Sequence, residues 1–368
     1  MKYYLVAGEP SGDMYGARVM QKINQLDPHA EFRIWGGDKM EKEGGVQISH
    51  IKERAFMGIW EVIKNLRTIK QNLTLFKQDF IQNKPDALIL IDYPGFNLRI
   101  APIAKELGVP VHYYIAPKVW AWNRKRITKI KAFVNYLYTI LPFEPEFFLQ
   151  HQITSDYVGN PLVDLISEYK QDTATIQQLK DGKPVIALLP GSRKMELANI
   201  LPIMATIPKH FPDYRFVMAG SDSFSQEELH SLSQQYGIEI LRGKTYEILA
   251  CAKAALVTSG TATLETALWQ VPQVVCYKFS KISYLIVKPL MKIKYISLVN
   301  LILNSPLVKE LIQDELTELN IKKELKALLE TDRRTEIMNG YAALRIRVGG
   351  NGASDRVAEF ITQRTMQH

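Results

Sequence analysis

Short apolar runs alternate with amphipathic segments in the first part of the chain. Four such runs, KYYLVAG, DALILID, VPVHYYIA and VNYLYTIL, are each followed by Gly, Asp, Pro or a polar turn. Brief apolar runs that are bounded by turn residues and separated by helical periodicity are typical of buried parallel strands. The pattern predicts a doubly wound parallel sheet.

The same pattern then starts again, in PVIALLPG, YRFVMAG, IEILRG, AALVTSGT and VPQVVCYK. We therefore predict an α/β protein with two Rossmann-like doubly wound parallel-sheet domains and an interdomain cleft. The polar segment 167–183 suggests domains at 1–165 and 166–345. Residues 346–368 break at a glycine-rich turn and resume as a helix, which we expect to pack back on the N-terminal domain.

Composition agrees with a globular two-domain protein. The chain has 368 residues, of which 46% are hydrophobic, and a formal net charge of +8. The positive charge favours an anionic partner, such as a nucleotide, a phosphorylated substrate, a membrane surface or nucleic acid. Two cysteines, Cys251 and Cys276, suit a reducing compartment. We read the N-terminus as a first strand, and no apolar stretch approaches the roughly 18 residues of a membrane-spanning helix.

One strand of the second series ends in ALLPGSRKME. Its turn can direct the backbone N–H groups of Gly191 and Ser192 at an anion, and Arg193 adds a charge-assisted donor. Taken alone, this stretch is more typical of an ordinary strand-to-helix turn with an exposed arginine.

A second turn, TSGTATLE, has a similar design. Ser259 is a candidate N-cap, Gly260 permits close backbone approach, Thr261 and Thr263 offer hydroxyls, and Glu265 can accept hydrogen bonds from a ribose diol. Neither turn is a Walker loop or a strict G-x-G-x-x-G motif. Together they predict a site for a nucleoside diphosphate, to which we assign Gly191, Ser192, Arg193, Glu196, Ser259, Gly260, Thr261, Ala262 and Glu265.

Several motifs carry a resemblance to a known family. They are VAGEPSGD (6–13), MGIWEV (57–62), IDYPGFN (91–97), PKVWAWNRKR (117–126), LPFE (141–144), LLPGSR (188–193), SGTATLE (259–265) and YISLVN (295–300). The chain resembles the lipid A disaccharide synthases nearly end to end; these are inverting glycosyltransferases of the two-domain GT-B architecture. The resemblance implies transfer of 2,3-diacylglucosamine from UDP to the 6-hydroxyl of 2,3-diacylglucosamine 1-phosphate (lipid X), with no metal or other cofactor.

This chemistry needs a base for the acceptor proton and groups that hold the charge left on UDP. Asp92, at the end of a predicted strand, is our candidate base, although it could instead bond the turn backbone. Arg193 would stabilise the leaving diphosphate, and Asn300 matches a polar family position near the reacting sugars, unless it only caps a turn. For the acceptor we expect contacts from Gly8, Ser11, Gly12, Asp13 and Trp120. Asp13 is a rival carboxylate.

Two histidine features argue against an imidazole catalyst. Where most family members have Gly-His-Pro between the halves, this chain has Gly159-Asn160-Pro161. His112 lies inside an apolar strand and reads as a core residue. No clustered His and Asp residues suggest metal ligation.

An acylated substrate implies access to a bilayer. We expect a membrane-facing helix through Ile59, Val62, Ile63, Leu66 and Ile69. Basic and aromatic residues also interleave in 122–131 and 277–295, as at a membrane surface. A core-facing helix remains the simpler alternative for the first stretch. Without an RNA-binding motif, nucleic acid is disfavoured as the partner.

The expected setting is peripheral, on the cytoplasmic face of the inner membrane, and the C-terminal helix makes a homodimer possible. Two alternatives remain. Another GT-B enzyme that uses UDP-N-acetylglucosamine, a peptidoglycan transferase or a 2-epimerase, has the same architecture. A non-catalytic nucleotide-binding protein of the membrane surface would also explain the basic patches.

Overall fold

The structure, a computed structural model, describes residues 1–53, 66–278 and 294–368. These residues form two compact units, one of residues 1–164 with 350–368 and one of residues 165–349. Each contains one parallel sheet with helices around it. The predicted fold of two doubly wound α/β domains is confirmed.

The N-terminal unit is built on seven strands in the order β3-β2-β1-β4-β5-β6-β7. The strands are β1 (Lys2–Ala7), β2 (Glu31–Gly36), β3 (Val46–His50), β4 (Ala87–Ile91), β5 (Val111–Tyr114), β6 (Tyr136–Thr139) and β7 (Asp156–Tyr157). Its helices are α1 (Pro10–Leu26), α2 (Asp38–Lys42), α3 (Leu66–Asn83), α4 (Pro94–Glu106), α5 (Arg126–Phe133), α6 (Glu144–Leu149) and α7 (Pro161–Ser167).

An aromatic cluster fixes α3 against this sheet. Trp35 stacks on Phe96 with a centroid distance of 5.3 Å and meets Phe76 edge-on at 5.9 Å. The Trp35 indole donates to the Tyr4 hydroxyl at 2.9 Å, and that hydroxyl donates to Asp79 of α3 at 2.8 Å. Each buried polar atom in this chain of bonds has a partner, so the polar tips of the rings do not oppose their burial.

The C-terminal unit has six strands in the order β10-β9-β8-β11-β12-β13. They are β8 (Val185–Leu189), β9 (Arg215–Gly220), β10 (Glu239–Arg242), β11 (Ala252–Thr258), β12 (Gln273–Tyr277) and β13 (Lys309–Ile312). The helices are α8 (Thr173–Lys180), α9 (Lys194–Met204), α10 (Gln226–Tyr236), α11 (Thr245–Cys251), α12 (Thr261–Leu268), α13 (Leu298–Leu303), α14 (Glu318–Leu329) and α15 (Thr331–Val348).

The last helix, α16 (Ala353–Met366), belongs to the N-terminal unit and packs on α1. The Asp164 carboxylate accepts from the backbone N–H groups of Gly352 at 2.6 Å and Ser354 at 3.1 Å. Continuous helix α15 carries the C-terminal unit to Gly349, beyond the predicted end at 345.

Candidate functional site

In both sheets the strand order reverses once, and the predicted site loops follow the two strands at that point. In the N-terminal sheet β1 pairs with β4, with Ala7 opposite Ile91. In the C-terminal sheet β8 pairs with β11, with Leu189 opposite Val257. Ligands of open α/β sheets bind where successive connections diverge to opposite sides. Each unit therefore has one crevice at the carboxyl ends of its strands.

Two glycines shape the crevice of the C-terminal unit. Gly191 has φ of 114°, and Gly260 has φ of 119° with ψ of −152°, conformations that side chains rarely tolerate. A Cβ on Gly191 would lie 2.6 Å from Oε2 of Glu196. Both turns therefore need glycine.

Helix α12 begins directly after Gly260 and lacks a side-chain cap. Within the described residues, the N–H groups of Thr261 and Ala262 have no acceptor. Unpaired amides at a helix N-terminus, together with the helix dipole, attract a phosphate. The N-terminus of α12 is therefore suited to an anion.

The hydroxyls of Ser259 and Thr263 do not have the roles predicted for them. Ser259 is not the N-cap, since Gly260 holds that position, and its Oγ donates to the oxygen of Ile296 at 2.9 Å. Thr263 is buried; its Oγ1 donates to Gly260 and accepts from the Leu298 N–H. These two hydroxyls hold the 296–298 segment against α12, and exposed Thr261 is the hydroxyl left for a ligand.

Glu265 lies one turn into α12, where its carboxylate accepts from the Tyr246 hydroxyl at 2.9 Å. Burial raises the pKa of Glu265, and the Tyr246 bond lowers it. Only Oε1 takes part in that bond, so Oε2 can accept from a ribose hydroxyl.

Arg193 and Glu196 lie at the opposite turn. The Arg193 side chain is 59% exposed, and its Nη1 is 3.5 Å from Oε1 of Glu196. Burial raises the pKa of Tyr277; Glu196 raises it further, and Arg193 lowers it. Tyr277, at the end of β12, is therefore within electrostatic range of both groups. The exposed guanidinium is weakly held and can turn to a bound anion.

Asp92 lies in a strained turn of the N-terminal unit. Asp92 and Tyr93 have φ of 45° and 46°, in the left-handed region. The N–H of Asp92 donates to Tyr114 at 3.0 Å, and its backbone oxygen accepts from Asn97 Nδ2 at 2.7 Å and the Tyr113 hydroxyl at 2.6 Å. Strained conformations persist where surrounding bonds fix them, often at functional sites.

The surroundings of the Asp92 carboxylate suit a base. Burial raises its pKa, Glu9 raises it further, and Lys118, the Tyr93 amide and Arg126 lower it. A carboxylate whose pKa lies above the ordinary value is a stronger proton acceptor, and the nearby cations favour its ionised form.

The glycine-rich loop after β1 packs against its own domain. A Cβ on Gly8 would lie 2.1 Å from Cγ of the Tyr93 ring, and one on Gly12 would lie 3.2 Å from the Ala7 Cβ. Protein atoms therefore fill the space that these glycines leave. Of the predicted acceptor contacts in this loop, Ser11 is the exposed one.

Asp13 has a structural task. Its carboxylate is 4% exposed and accepts from the N–H groups of Gly37, Lys39 and Met40, at 2.7, 3.1 and 3.1 Å. It thus caps α2. With three amides bonded to it, this carboxylate is already occupied within its own unit.

Asn300 is likewise occupied inside its own unit. It is 1% exposed; its Nδ2 donates to Val308 and Glu310, and its Oδ1 accepts from the Val308 N–H. These contacts stabilise the turn between α13 and β13. They give no support to the predicted contact with reacting sugars, because both ends of the amide are already paired.

Trp120 is buried beside a carboxylate that sequence analysis did not single out. Its Nε1 donates to Oε1 of Glu144 at 3.0 Å, and Oε2 accepts from the amides of Ile140 and Leu141. Burial raises the pKa of Glu144 to about 7, although these hydrogen bonds lower it. Trp120 therefore anchors the 117–126 loop. The LPFE motif was the available signal for Glu144.

His112 lies in the core of the N-terminal unit, and Asn160 lies in a turn. His112 is fully buried, with Nδ1 2.9 Å from the Tyr138 hydroxyl, and burial lowers its pKa to about 3. It is a core residue, as predicted. Asn160 donates to the oxygen of Ile140 and accepts from the Leu162 N–H, as a turn residue does.

Comparison with known proteins decides the family. The family model described as Lipid-A-disaccharide synthetase matches residues 3–362. The chain belongs to the lipid-A-disaccharide synthetase family. It is 34% identical to the Lipid-A-disaccharide synthase of Trichlorobacter lovleyi, over 99% of this chain and 97% of that one. It is 36% identical to the synthase of Syntrophus aciditrophicus, over 96% and 95% of the two chains.

Solved structures support the fold of this lipid-A-disaccharide synthetase family member. The S. aureus MnaA–UDP co-structure has a TM-score of 0.70 at 12% identity, covering 100% of this chain and 97% of that one. The UDP-GlcNAc 2-epimerase of Methanocaldococcus jannaschii, in complex with UDP-GlcNAc and UDP, has a TM-score of 0.65 at 12% identity, covering 99% and 100%. At such identities the likeness shows the two-domain α/β fold alone.

The membrane predictions for this family member fall largely outside the described residues. Ile59, Val62 and Ile63 lie there, as does most of the 277–295 stretch, and the side chain of Leu66 is not described. Ile69 is half-buried, and further along α3 Phe76 and Phe80 face the core. In the 122–131 stretch, Trp122 is 55% exposed.

The described residues contain neither a helix suited to span a membrane nor a cluster of side chains suited to bind a metal ion. Across 1–53, 66–278 and 294–368, no helix combines the length and apolar character that a membrane crossing requires. In those same ranges, no group of three or more His, Cys, Asp or Glu side chains could hold a metal ion.

Proposed function

We propose that this chain is a lipid A disaccharide synthase. It transfers 2,3-diacylglucosamine from its UDP derivative to the 6-hydroxyl of lipid X, giving a β-1,6-linked disaccharide 1-phosphate and UDP. Family membership over residues 3–362 is the observation that carries this proposal. The two crevices supply groups suited to the chemistry.

The donor nucleotide binds in the C-terminal unit under this proposal. The unpaired amides at the start of α12 and the turn at Gly191 receive the diphosphate, and Glu265 receives the ribose. Backbone N–H groups and an exposed guanidinium can hold two negative phosphates without a divalent cation, so we propose metal-independent transfer with no cofactor.

Asp92 accepts the proton in an inverting displacement. As O6 of the acceptor forms a bond to the anomeric carbon, its proton passes to the Asp92 carboxylate. The bond from that carbon to the phosphate oxygen breaks, and its electron pair leaves with UDP. Arg193 stabilises the charge that develops on the diphosphate.

We propose that the protein acts at a membrane surface. Acylated substrates and exposed basic and aromatic residues, such as Trp122 and Lys125, favour an anionic membrane surface on the cytoplasmic side of the inner membrane. We also propose a homodimer, and we propose no nucleic-acid partner.

The test is turnover with matched donors. Purified protein is given lipid X with either UDP-2,3-diacylglucosamine or UDP-N-acetylglucosamine, and UDP release and product mass are measured. We expect a disaccharide phosphate from the acylated donor alone. Turnover of the unacylated nucleotide would instead indicate the related transferase or epimerase, and release from neither would favour a non-catalytic binding protein.

Replacing Arg193 with alanine tests the donor site. We expect UDP affinity to fall about 10- to 100-fold, with a fall in kcat, because a charge-assisted hydrogen bond contributes about 1.5–3 kcal/mol. Calorimetric titration with UDP measures the affinity. Arg345→Ala, which removes an exposed arginine of the same unit, is the control. Unchanged affinity in Arg193→Ala would contradict the assignment.

A further inference from the structure

Two cations lie near Asp92 without carboxylate partners. The Asp92 N–H donates to the oxygen of Tyr114 at 3.0 Å, so the segment that follows Tyr114 starts beside Asp92, and its Lys118 and Arg126 both lower the pKa of Asp92. Yet neither makes an ion pair or a side-chain hydrogen bond with any group in the described part of the chain. Both lie on the segment that follows β5, the strand next to β4.

Arg126 is the more telling of the two. Its guanidinium lies 4.7 Å from the centroid of the Trp122 ring. It is half-buried, and burial lowers its pKa, whereas Tyr113 and Asp92 raise it. The face of the Trp122 ring attracts the positive charge of Arg126. It does not replace the oxygen acceptors that the five N–H groups of the guanidinium require. A cation withdrawn from water without acceptors is costly unless a ligand supplies them.

Other half-buried arginines show what ordinary pairing looks like here. Arg33 binds Asp79, Arg215 binds Glu239, and Arg364 binds Asp156, each through its guanidinium. In the described residues, Arg126 is a half-buried arginine that lacks such a partner. It is also the one beside the proposed base.

We propose that Arg126 and Lys118 bind the phosphate monoester of the acceptor, an inference that rests on the proposed function. The phosphate and the 6-hydroxyl belong to one pyranose ring. The groups that recognise the phosphate must therefore lie within one sugar of the base, near it but not bonded to it. Arg126 and Lys118 meet both conditions. A planar guanidinium fork matches two phosphate oxygens, and the ammonium adds a third contact.

Acceptors with and without phosphate test the inference. Lipid X and 2,3-diacylglucosamine are compared in the same detergent micelles with a fixed donor. For Arg126→Gln we expect kcat/KM to fall about 30- to 100-fold with lipid X and to change less than about threefold with the unphosphorylated acceptor. Lys118→Gln should give the same pattern more weakly. Arg99→Gln, which removes an exposed arginine of α4, should change neither.

The outcomes separate the inference from the proposed function. If the wild-type protein turns over neither acceptor, the proposed function fails. If it uses both equally well, or if Arg126→Gln lowers both equally, the function stands and the phosphate site is overturned. Lys118 is exposed, so Lys118→Gln should fold and still test the phosphate site even if Arg126→Gln folds poorly. If the difference in kcat/KM between the wild-type protein and Arg126→Gln depended on added anionic phospholipid vesicles, and not on the phosphate of the acceptor, the site would belong to a membrane headgroup.

Discussion

Asp92→Asn is expected to lower kcat about a thousandfold while UDP affinity stays within about twofold. Removal of a general base costs roughly 10²- to 10⁴-fold, and asparagine keeps the shape of the side chain without its basicity. The backbone of Asp92 is fixed by Tyr113, Tyr114 and Asn97, so the turn should persist. Single-turnover kinetics and UDP titration measure the two quantities.

The pH profile provides a second measurement. The base acts when ionised, so the wild-type rate should fall as pH is lowered through the Asp92 pKa, which burial raises above 3.8. Removal of the Arg126 charge should move that limb to higher pH, because Arg126 lowers this pKa. Glu106→Gln, which neutralises an exposed carboxylate of α4, is the control. Loss of UDP binding in Asp92→Asn would contradict its role as the base.

Gly8→Ala is expected to impair both folding and catalysis. The new Cβ would lie 2.1, 2.3 and 2.4 Å from Cγ, Cδ1 and Cδ2 of Tyr93, at the root of the ring, so the residue itself must shift. Overpacking costs about 1–3 kcal/mol in the free energy of unfolding. Because Tyr93 is bonded to Asp92, displacement of the base by about 1 Å should lower kcat about 100-fold.

Urea denaturation and steady-state assays measure these effects. The matched control is Gly95→Ala, since Gly95 lies two residues beyond Tyr93 and a Cβ there meets open space. UDP affinity, which depends on the other unit, should be unchanged in both variants. A Gly8→Ala protein with wild-type kcat would show that Tyr93 can move without moving the base.

Sequence patterning predicted the central strands because they are buried on both faces and read as continuous apolar runs. Strands β1, β4, β8 and β11, which border the two crevices, were all of this kind. It did not predict β2, whose Arg33 breaks the pattern. Arg33 is tolerated because Asp79, far along the chain, pairs with it. Edge strands β3 and β13 are half-exposed and lack an apolar run.

The candidate site likewise has features that the sequence pattern predicts and features that only the fold determines. Loops after the central strands could be found from sequence, because parallel strands bring their carboxyl ends to one edge. The roles of individual polar residues could not be predicted from sequence. Asp13 caps α2 and Asn300 supports a turn through partners that only the fold brings near. Arg126 looked like one charge of a basic stretch, whereas in the fold it is half-buried with its guanidinium over the Trp122 ring.

Because helix α16 belongs to the N-terminal unit, the two units complete their folds in a definite order during synthesis. Residues 165–349 form the C-terminal unit without interruption, so all of its segments have been made before the chain is complete. The N-terminal unit must wait for Val357 and Ile361, which are fully buried within it. The core begun by residues 1–164 is thus completed only after all of residues 165–349 have been made.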